Sequence, residues 1–403
     1  MEQPKRKALL LLVFSLCTVF ATAQTIPANY FGLTINHITM YANWGLTPWP
    51  TLTFGGARLW DVGVSWPSVE KTRGTYDWHN LDTWMNDAQQ HNVELIYTLG
   101  LTPLWASSDK GANCYEGAGT CAPPSDITYW DEYVRAIATH SAGRIHYWEL
   151  WNEPNESGFW TGTPAQLATL AQHAYSIIKS IDPTAVVLSP SATDEYGVNW
   201  ASNFYAAGGY KYFDVVAFHG YYLPYNTPEH ILNRVASYRA LMNQYGIGSR
   251  QLIDSEYSWG YNSKYANADL QAAFLARSYL LHWSAGVSRT YWYSYDDEAW
   301  GTLWLSSTGL TKPGVAYREV ARWMVGATLS NPCSISNGTW TCAFTRAGGY
   351  QALAVWNPSG SKSYNVPTQY RQYRDLNGVL SKVSGMSVQI GIKPILLETN
   401  TAF

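Results

Sequence analysis

Two short segments of the sequence each place a glutamate directly after an apolar, strand-like run. The first, Trp148–Asn155, contains Glu153, and the second, Leu252–Trp259, contains Glu256. A single glutamate in such a place is more typical of a solvated loop or a surface ion pair than of a catalyst. Two of them, both flanked by aromatic residues, form the kind of pair that could share general acid–base and nucleophilic work on a glycosidic bond.

These glutamates can cooperate only if the fold brings the ends of two distant strands together. Between residues 30 and 326, eight short apolar runs alternate with longer segments whose apolar residues recur at helical spacing. The candidate strands are Phe31–Asn36, Ala57–Asp61, Val93–Leu99, Ile145–Trp151, Ala185–Ser189, Val215–His219, Gln251–Ser255 and Arg289–Tyr295. This alternation predicts an α/β protein with a (β/α)8 TIM barrel, in which the carboxyl ends of all strands meet at one mouth. A doubly wound open sheet is the alternative, but it usually carries a Gly-rich phosphate loop, and the sequence has no such motif.

The sequence pattern changes after Gly326, where alternating strand-like runs replace the helical segments. Runs such as Thr339–Phe344 and Gln351–Trp356 are separated by turn-forming residue pairs. We therefore expect a catalytic barrel over residues 24–326 and an all-β sandwich domain over residues 327–403. The residues just after the leader are a candidate extra strand of that sandwich.

The first 23 residues are typical of a secretory signal peptide. The basic stretch Lys5–Lys7 precedes an apolar run, Ala8–Phe20, and Ala21-Thr22-Ala23 fits the small-residue pattern of a cleavage site. The apolar run is shorter than a membrane-spanning helix needs, so a retained anchor is the weaker alternative. The sequence thus predicts a signal peptide over residues 1–23 and a secreted or periplasmic protein without a membrane partner after cleavage.

Four cysteines remain after the leader, and they lie in two local pairs. Three pairings are open, and in an exported chain the local ones, Cys114–Cys121 and Cys333–Cys342, would each close a short loop. The first pair falls within Thr102–Asp126, the candidate wall of the barrel mouth. A metal site is the competing interpretation, but the sequence has no C-x-x-C and the pairs lie far apart. We expect two disulfides and neither a metal nor a cofactor.

The run Trp151-Asn152-Glu153-Pro154 at the fourth strand, followed by a glutamate at the seventh, resembles clan A of the retaining glycoside hydrolases. Within that clan the pattern is most similar to family 39, whose members combine a barrel with a β-sandwich, although families 5 and 30 share much of it. The resemblance implies that Glu153 is the acid/base and Glu256 the nucleophile. Glu153 must then hold a proton for the leaving oxygen, whereas Glu256 must stay ionised to attack the anomeric carbon.

An ionised Glu256 needs a cation or a hydroxyl group beside it. Arg58 at the second strand is the candidate cation, since clan members carry an arginine there; the alternative is a structural ion pair beneath the mouth. His219-Gly220-Tyr221 at the sixth strand resembles the clan's His-x-Tyr, which implies that Tyr221 hydrogen-bonds the nucleophile and His219 orients a neighbour or the sugar. Tyr222 would replace Tyr221 if the strand end slips by one residue.

Two further residues are predicted to contact the sugar. Asn152 can hold the 2-hydroxyl group with its amide, a contact that strengthens toward the transition state. Trp292 on the eighth strand resembles the clan's aromatic floor under the reacting sugar, with filling of the barrel as the alternative. Acidic clusters at Asp194-Glu195 and Asp296–Glu298 have no histidine at ligand spacing, so we interpret them as solvated loops or hydroxyl contacts.

The composition suits a protein that binds carbohydrate. The chain has 20 Trp, 30 Tyr and 11 Phe, more rings than a core of this size needs, so some should line a cleft. A hydrophobic fraction of 46% excludes general disorder, and a formal charge of −3 argues against a nucleic-acid partner.

We therefore predict an exported retaining glycosidase that acts on a β-linked oligo- or polysaccharide, with xylosides and xylan among the candidates. The sequence assigns neither the sugar, nor exo or endo action, nor the oligomeric state. One alternative is a non-catalytic carbohydrate-binding protein, which would be expected to lose one of the two carboxylates. The other is a metal-dependent hydrolase, for which the sequence offers no ligand spacing.

Overall fold

The computed structural model describes residues 25–38, 46–221 and 227–399. Its largest sheet contains eight parallel strands, β1 to β8: Phe31–Leu33, Gly56–Leu59, Glu94–Leu99, Tyr147–Leu150, Val186–Leu188, Val216–His219, Leu252–Tyr257 and Arg289–Trp292. Strand β1 pairs with both β2 and β8, and a parallel bridge between Leu188 and Val215 spans the remaining gap between β5 and β6. The sheet therefore curls into a nearly closed barrel, and the predicted TIM barrel is confirmed.

Within the described residues, helices follow or flank the barrel strands. The α-helices, α1 to α8, are Trp66–Val69, His79–His91, Ile127–His140, Pro164–Ile181, Gly197–Ala206, Ile231–Gln244, Ala268–Ser284 and Lys312–Met324. Short 3-10 helices cover Ala28–Tyr30, Gly209–Lys211, Pro228–His230 and Ala347–Gly349. Local sequence explains where helices start and stop: α4 begins with a capping box between Thr163 and Gln166. After α8, Gly326 has a φ of 79°, so the chain turns away toward the C-terminal strands.

All eight predicted strands are present, and their bounds differ from the prediction by a few residues. Strand β1 ends at Leu33, before the predicted end at Asn36. Strand β7 runs through Glu256 to Tyr257, beyond the predicted end at Ser255. Glu256 is therefore part of a strand rather than of the loop that follows it, which fixes its backbone more firmly than the sequence suggested.

Apolar side chains and one large ring fill the interior of the barrel. The buried interior cluster consists of Ile96, Leu188, Val215, Ala217, Ile253 and Tyr291. The Tyr291 ring lies across β1 and β2, where a Cβ atom at Gly32 or Gly56 would overlap it. Because both positions are glycine, the Tyr291 ring has room to fill the interior of the barrel. Polar groups are thereby left to gather at the carboxyl ends of the strands.

The C-terminal strands form a sandwich of two antiparallel sheets, as predicted. Strands β9 to β19 are Trp304–Leu305, Gly309–Leu310, Thr328–Leu329, Ser334–Ser336, Thr339–Thr345, Gln351–Trp356, Lys362–Asn365, Gln372–Arg374, Leu380–Lys382, Ser387–Ile390 and Ile395–Glu398. A hairpin of β9 and β10 precedes α8, and the larger sheet runs in the order β11-β13-β14-β19-β16-β17, with β12 also on β13. Strands β15 and β18 form the smaller sheet. Val388 and Ile390 of β18 pack in one cluster with Leu353, Val355 and Leu397 of the larger sheet.

The N-terminal part of the described chain is tied to the junction between barrel and sandwich. Ile26 donates a backbone hydrogen bond to Ala327 and accepts one from Gly326. Residues 25–27 form no strand, so the candidate extra strand of the sandwich is not found there. The predicted signal peptide, residues 1–23, lies outside the described residues. Within the described residues, no helix is long and apolar enough to cross a membrane.

Both predicted disulfides, Cys114–Cys121 and Cys333–Cys342, are present. The loop closed by Cys114–Cys121 contacts the connection that follows β4, because the Tyr115 amide donates a hydrogen bond to the carbonyl of Gly158. The second lies at the edge of the sandwich, where the Cys333 amide donates to Ser284 Oγ at 2.7 Å. Each disulfide thus braces a segment that packs against the barrel.

Candidate active site

The structure brings two distant glutamates together at the carboxyl ends of the barrel strands. One carboxylate oxygen each of Glu153 and Glu256 and one ring nitrogen of His219 lie within 4.8 Å of one another. Six of the predicted site residues form hydrogen bonds with one another here: Arg58, Asn152, Glu153, His219, Tyr221 and Glu256. They lie within or directly after β2, β4, β6 and β7, so four separate strands position the site.

The turn after β4 holds Glu153 in an unusual backbone conformation. Trp151 and Glu153 have φ angles of 72° and 41°, in the left-handed region that non-glycine residues rarely adopt. The Glu153 amide donates to the carbonyl of Ser191 at 2.9 Å, and the Trp151 amide donates to that of Leu99 at 2.9 Å. Neighbouring strand ends on both sides thus stabilise a conformation that costs about 1–3 kcal/mol per residue.

Arg58 lies beneath the two glutamates and binds three acceptors at once. Its Nη1 donates to Glu256 Oε2 at 2.6 Å, its Nε to Glu149 Oε2 at 2.8 Å and its Nη2 to Asn152 Oδ1 at 2.7 Å. The side chain is fully buried, with 0% of its surface exposed. The sequence offered two interpretations of Arg58, a cation beside Glu256 or a structural ion pair, and the geometry contains both contacts.

Glu149 is the partner that the sequence analysis did not identify. It points into the barrel from β4, is fully buried, and accepts a further hydrogen bond from Thr98 Oγ1 at 2.9 Å. Burial acts to raise its pKa, but the charge of Arg58 and the hydrogen bonds to the carboxylate outweigh burial and lower it. A glutamate inside an apolar strand was the available signal, because such a residue needs a buried cation.

The amide of Asn152 is oriented by Arg58. Because Oδ1 accepts from the guanidinium, the Nδ2 group is left as the donor of this side chain. A donor at this place can bind a hydroxyl oxygen of a sugar held over the two glutamates. The geometry therefore supports the contact that the sequence suggested for Asn152.

Glu153 and His219 form a hydrogen-bonded pair, with His219 Nδ1 2.8 Å from Glu153 Oε1. Burial raises the pKa of Glu153 to about 7, and it lowers the pKa of His219, which keeps the imidazole neutral. A neutral imidazole can accept from the protonated acid through Nδ1 or donate to the ionised carboxylate. His219 can therefore stay hydrogen-bonded to Glu153 whether the Glu153 carboxyl group is protonated or ionised.

Glu256 has different partners. Tyr221 donates its hydroxyl to Oε1 at 3.1 Å, and Trp300 Nε1 donates to that hydroxyl at 3.2 Å. Burial raises the pKa of Glu256 as well, while the positive charge of Arg58 acts to lower it. Two interacting carboxyls release their protons in two steps, and the one bound to a guanidinium ionises first. The remaining proton therefore stays on Glu153. Tyr222, the alternative to Tyr221, lies outside the described residues.

The prediction that Trp292 forms a floor under the sugar is wrong. Its side chain is fully buried, its ring stacks on Tyr279 of α7 at 6.2 Å, and its Nε1 donates to the carbonyl of Gly301 at 2.7 Å. Successive strand residues face opposite sides, so with Tyr291 inside the barrel, Trp292 points outward and Tyr293 points inward again. Tyr293 donates its hydroxyl to Asp61 Oδ2 at 2.7 Å and is the aromatic residue on the side of the mouth.

A small cavity of about 90 Å³ lies beside this position. Its lining includes Trp60, Asp61, Thr98 and Glu116. Because Glu116 belongs to the loop closed by Cys114–Cys121, that loop forms part of the cavity wall. The structure thus brings the disulfide-bonded loop next to the residues that surround the site, where the sequence suggested a wall.

The acidic clusters at the mouth are mainly used within the loops. Asp296 accepts backbone hydrogen bonds from Asn36 at 2.7 Å and from His37 at 3.0 Å, so it shapes the loop after β1. Asp297 accepts from the amide of Ala299 at 2.6 Å in its own loop. Asp194 accepts from the amide of Tyr196 at 2.8 Å. These carboxylates therefore support the loops around the site.

Glu153, His219 and Glu256 are close enough to be considered as metal ligands, a grouping that the sequence spacing did not reveal. Arg58 already places a positive charge 2.6 Å from Glu256, and a divalent cation would have to sit beside it. His219 Nδ1 is also engaged with Glu153. The contacts present suit proton transfer and nucleophilic attack more directly than metal ligation.

Comparison with known proteins finds similarity to enzymes that act on carbohydrates. No family model matches the chain. A β-xylosidase from Geobacillus stearothermophilus is 26% identical over 251 residues, which cover 54% of this chain and 48% of that protein. The match thus spans about half the length of this curated relative.

Solved structures share the fold over most of the chain. A family 39 glycoside hydrolase from Bacteroides cellulosilyticus WH2 has a TM-score of 0.73 at 17% identity and covers 92% of this chain and 81% of its own. A family 39 β-xylosidase from Caulobacter crescentus has a TM-score of 0.66 at 16% identity, covering 94% and 98%. A family 30 endoxylanase from Clostridium papyrosolvens C71 has a TM-score of 0.61 at 14% identity, covering 93% and 96%. These similarities confirm the resemblance of the chain to clan A of the glycoside hydrolases and, within that clan, to family 39.

Proposed function

We propose that the protein is a retaining glycoside hydrolase that cleaves β-xylosides or xylan-derived chains by double displacement. The observation that carries the proposal is the pairing of Glu153 with Glu256, whose carboxylate oxygens approach within 4.8 Å. An approach this close fits the spacing of about 5–5.5 Å between the carboxyl groups of retaining enzymes better than the spacing of about 6.5–9.5 Å that lets inverting enzymes hold a water molecule between them. The similarity to a β-xylosidase supports the choice of sugar.

The partners of the two glutamates divide the chemistry between them. In the first step, Glu256 forms a bond to the anomeric carbon while the glycosidic bond breaks and Glu153 gives its proton to the leaving oxygen. In the second step, Glu153 takes a proton from water, the water oxygen bonds to the anomeric carbon, and the bond to Glu256 breaks. Both carboxyls return to their starting protonation states, with inversion at each step and net retention.

Four neighbours support these steps. Arg58 and Tyr221 hold the two oxygens of Glu256 and keep that carboxylate ionised and aimed. Asn152 offers its amide nitrogen to a sugar hydroxyl group, a hydrogen bond that strengthens as the transition state forms. His219 is the hydrogen-bond partner of Glu153 in both proton transfers, so the proposed mechanism uses every predicted site residue except Trp292.

We further propose that the enzyme works outside the cytoplasm on an oligo- or polysaccharide. The two disulfides support this location, because such bonds persist in oxidising compartments. The predicted signal peptide supports it independently. Growth of cells followed by detection of the protein in the medium or periplasm, with cleavage after Ala23, tests the proposal.

The proposed reaction is tested by following the anomeric proton of the product by NMR during cleavage of an aryl β-xyloside. The first-formed sugar should be the β-anomer, and Glu256→Ala should leave almost no turnover, since no carboxylate remains to form the glycosyl intermediate. Activity should survive excess chelator. First formation of the α-anomer would assign inversion, and loss of activity on chelation with recovery on added metal would assign metal-dependent hydrolysis. A wild type that binds xylo-oligosaccharides without cleaving any glycoside would be a carbohydrate-binding protein.

A further inference from the structure

A second pair of titratable side chains lies buried beneath the site and has no part in the mechanism above. Asp254 in β7 and His282 in α7 are both fully buried, and His282 Nε2 lies 2.7 Å from Asp254 Oδ2. The other ring nitrogen, Nδ1, lies 2.7 Å from the backbone carbonyl oxygen of Ser278. A carbonyl oxygen only accepts hydrogen bonds, so Nδ1 carries a proton.

The contact between Nε2 and the carboxylate therefore needs one further proton, placed either on the imidazole or on the carboxyl group. In the first case an imidazolium faces a carboxylate, and in the second a neutral imidazole faces a carboxylic acid. The pair has no net charge in either case, so it can remain buried. Asp254 is thus held in one orientation by a partner from the helix layer.

The second oxygen of Asp254 binds the backbone at the end of β6. Gly220 donates its amide to Asp254 Oδ1 at 3.1 Å. The ladder between β6 and β7 is irregular here, because Phe218 pairs with Asp254 whereas His219 pairs with Glu256. Such an irregularity disrupts the regular ladder, and the Asp254 side chain supplies the acceptor for the Gly220 amide. A Cβ atom at residue 220 would overlap the Asp254 carboxylate, which explains the glycine.

Gly220 lies between His219, the last residue of β6, and Tyr221, and these two residues touch the glutamates. His219 bonds Glu153 at 2.8 Å, and Tyr221 bonds Glu256 at 3.1 Å. We propose that Asp254, held by His282, is a positioning residue that fixes the end of β6 and thereby the contacts of both glutamates. The inference rests on the proposed function and deepens it, since Asp254 would act on turnover without touching the sugar.

Contacts with the sandwich fix the end of helix α7, which carries His282. Helix α7 is buried along most of its length, and the ring of its Trp283 packs against Phe344 of the sandwich at 5.5 Å. The Cys333 amide donates to Ser284 Oγ at 2.7 Å. The sandwich therefore restrains the helix end that supplies the partner of Asp254.

The test compares two substitutions of Asp254. Asp254→Asn can still accept from the Gly220 amide and can donate its NH2 group to His282 Nε2, so it should keep kcat within about threefold of wild type. Asp254→Ala removes the acceptor and should lower kcat about 10- to 100-fold with little change in KM, because the reacting groups shift while the sugar contacts remain. Gly220→Ala displaces the same contact from the other side and should lower kcat similarly, which keeps the test available if Asp254→Ala does not fold.

Glu398→Ala is the matched control, since Glu398 is also fully buried and hydrogen-bonded but lies in the sandwich. It should lose stability while kcat per folded molecule stays unchanged. Hydrogen–deuterium exchange of the peptide covering residues 216–221 gives a readout that does not depend on activity. Exchange there should rise in Asp254→Ala and stay at the wild-type level in Asp254→Asn and Glu398→Ala.

Wild-type kcat per folded molecule in both Asp254→Ala and Gly220→Ala would overturn the positioning role, as would equal losses in Glu398→Ala. Unchanged exchange in Asp254→Ala would overturn the contact itself. A wild type that cleaves no glycoside would instead overturn the proposed function and the catalytic part of this inference, while the exchange measurement would still report whether Asp254 holds β6.

Discussion

Replacing Glu153 by alanine should separate its two proton transfers. With a pKa raised by burial to about 7, the Glu153 carboxyl is about nine-tenths protonated at pH 6 and about one-tenth at pH 8. Wild-type kcat/KM on an unactivated phenyl β-glycoside should therefore fall as the pH rises through about 7. Glu153→Ala should slow this substrate by about 10²- to 10⁴-fold, because the leaving oxygen has lost its acid.

The same variant should treat an activated substrate differently. A dinitrophenyl leaving group departs without a proton, so the rate of the first step should be nearly the same as in the wild type. That rate should no longer decrease as the pH rises through about 7, and the released phenol should appear as a burst. Water has then lost its base, and added azide, which needs none, should restore turnover and yield a β-glycosyl azide. The alanine side chain leaves space for azide next to His219, the former partner of the carboxylate.

The matched control is Glu156→Ala, three residues along the same turn, where the carboxyl group is only half-buried. This variant should keep wild-type rates on both substrates and show no response to azide. Equal slowing of both substrates by Glu153→Ala, or absence of any azide product, would refute the assignment of Glu153 as acid/base.

Three further outcomes follow from the geometry of the site. Arg58→Met leaves two buried carboxylates without their cation and should reduce the free energy of unfolding in urea by about 3–5 kcal/mol, whereas a loss below about 1 kcal/mol would contradict the buried network. Tyr293→Phe removes the hydrogen bond to Asp61 and should lower kcat/KM up to about tenfold. Trp292→Phe should change the melting temperature only. The reverse pattern would show that Trp292, not Tyr293, contacts the sugar. Glu153→Gln should leave stability unchanged near pH 4.5 and raise it by about 1–3 kcal/mol at pH 8, because the folded wild type resists ionising a carboxyl whose pKa is raised to about 7. A thermal-unfolding series across this pH range in which both proteins respond alike would contradict that pKa.

The barrel and the pair of glutamates could be predicted from the sequence because their signals are local and repeated. Each strand is a short apolar run between helical patterns, and eight such runs leave few other folds. The Asn-Glu-Pro run places Glu153 at a strand end without any knowledge of the rest of the chain. Slight errors in strand bounds did not matter for Glu256, because it lies at the carboxyl end of β7 whether the strand ends at Ser255 or at Tyr257.

The error at Trp292 shows where this reasoning fails. Side chains alternate between the two faces of a regular strand, so a shift of one residue moves a side chain from the mouth to the helix layer. The sequence offers two adjacent aromatic residues, Trp292 and Tyr293, and nothing local decides which of them faces inward. The decision comes from Tyr291, whose ring fills the barrel over two glycines on β1 and β2.

The buried charges could not be predicted for a related reason. Glu149 bonds Arg58 across 91 residues of sequence, and Asp254 bonds His282 across 28. A buried carboxylate is stable only with its partner in place, and a sequence shows the carboxylate without the partner. The sequence therefore identified the two glutamates together with their direct partners Arg58, His219 and Tyr221, and it missed the buried carboxylates Glu149 and Asp254 beneath them.

The opposite roles of the two glutamates follow from the side chains that each of them contacts. Glu153 and Glu256 carry the same side chain, lie within 4.8 Å of each other and are both raised in pKa by burial. The difference between them is that Glu256 is bound to a guanidinium at 2.6 Å and Glu153 to a neutral imidazole. The guanidinium fixes the negative charge on Glu256, and the charge on Glu256 then makes a second ionisation at Glu153 unfavourable, so the pair is left with one nucleophile and one acid. Arg58 thus selects the role of each glutamate, although it bonds only one of them directly.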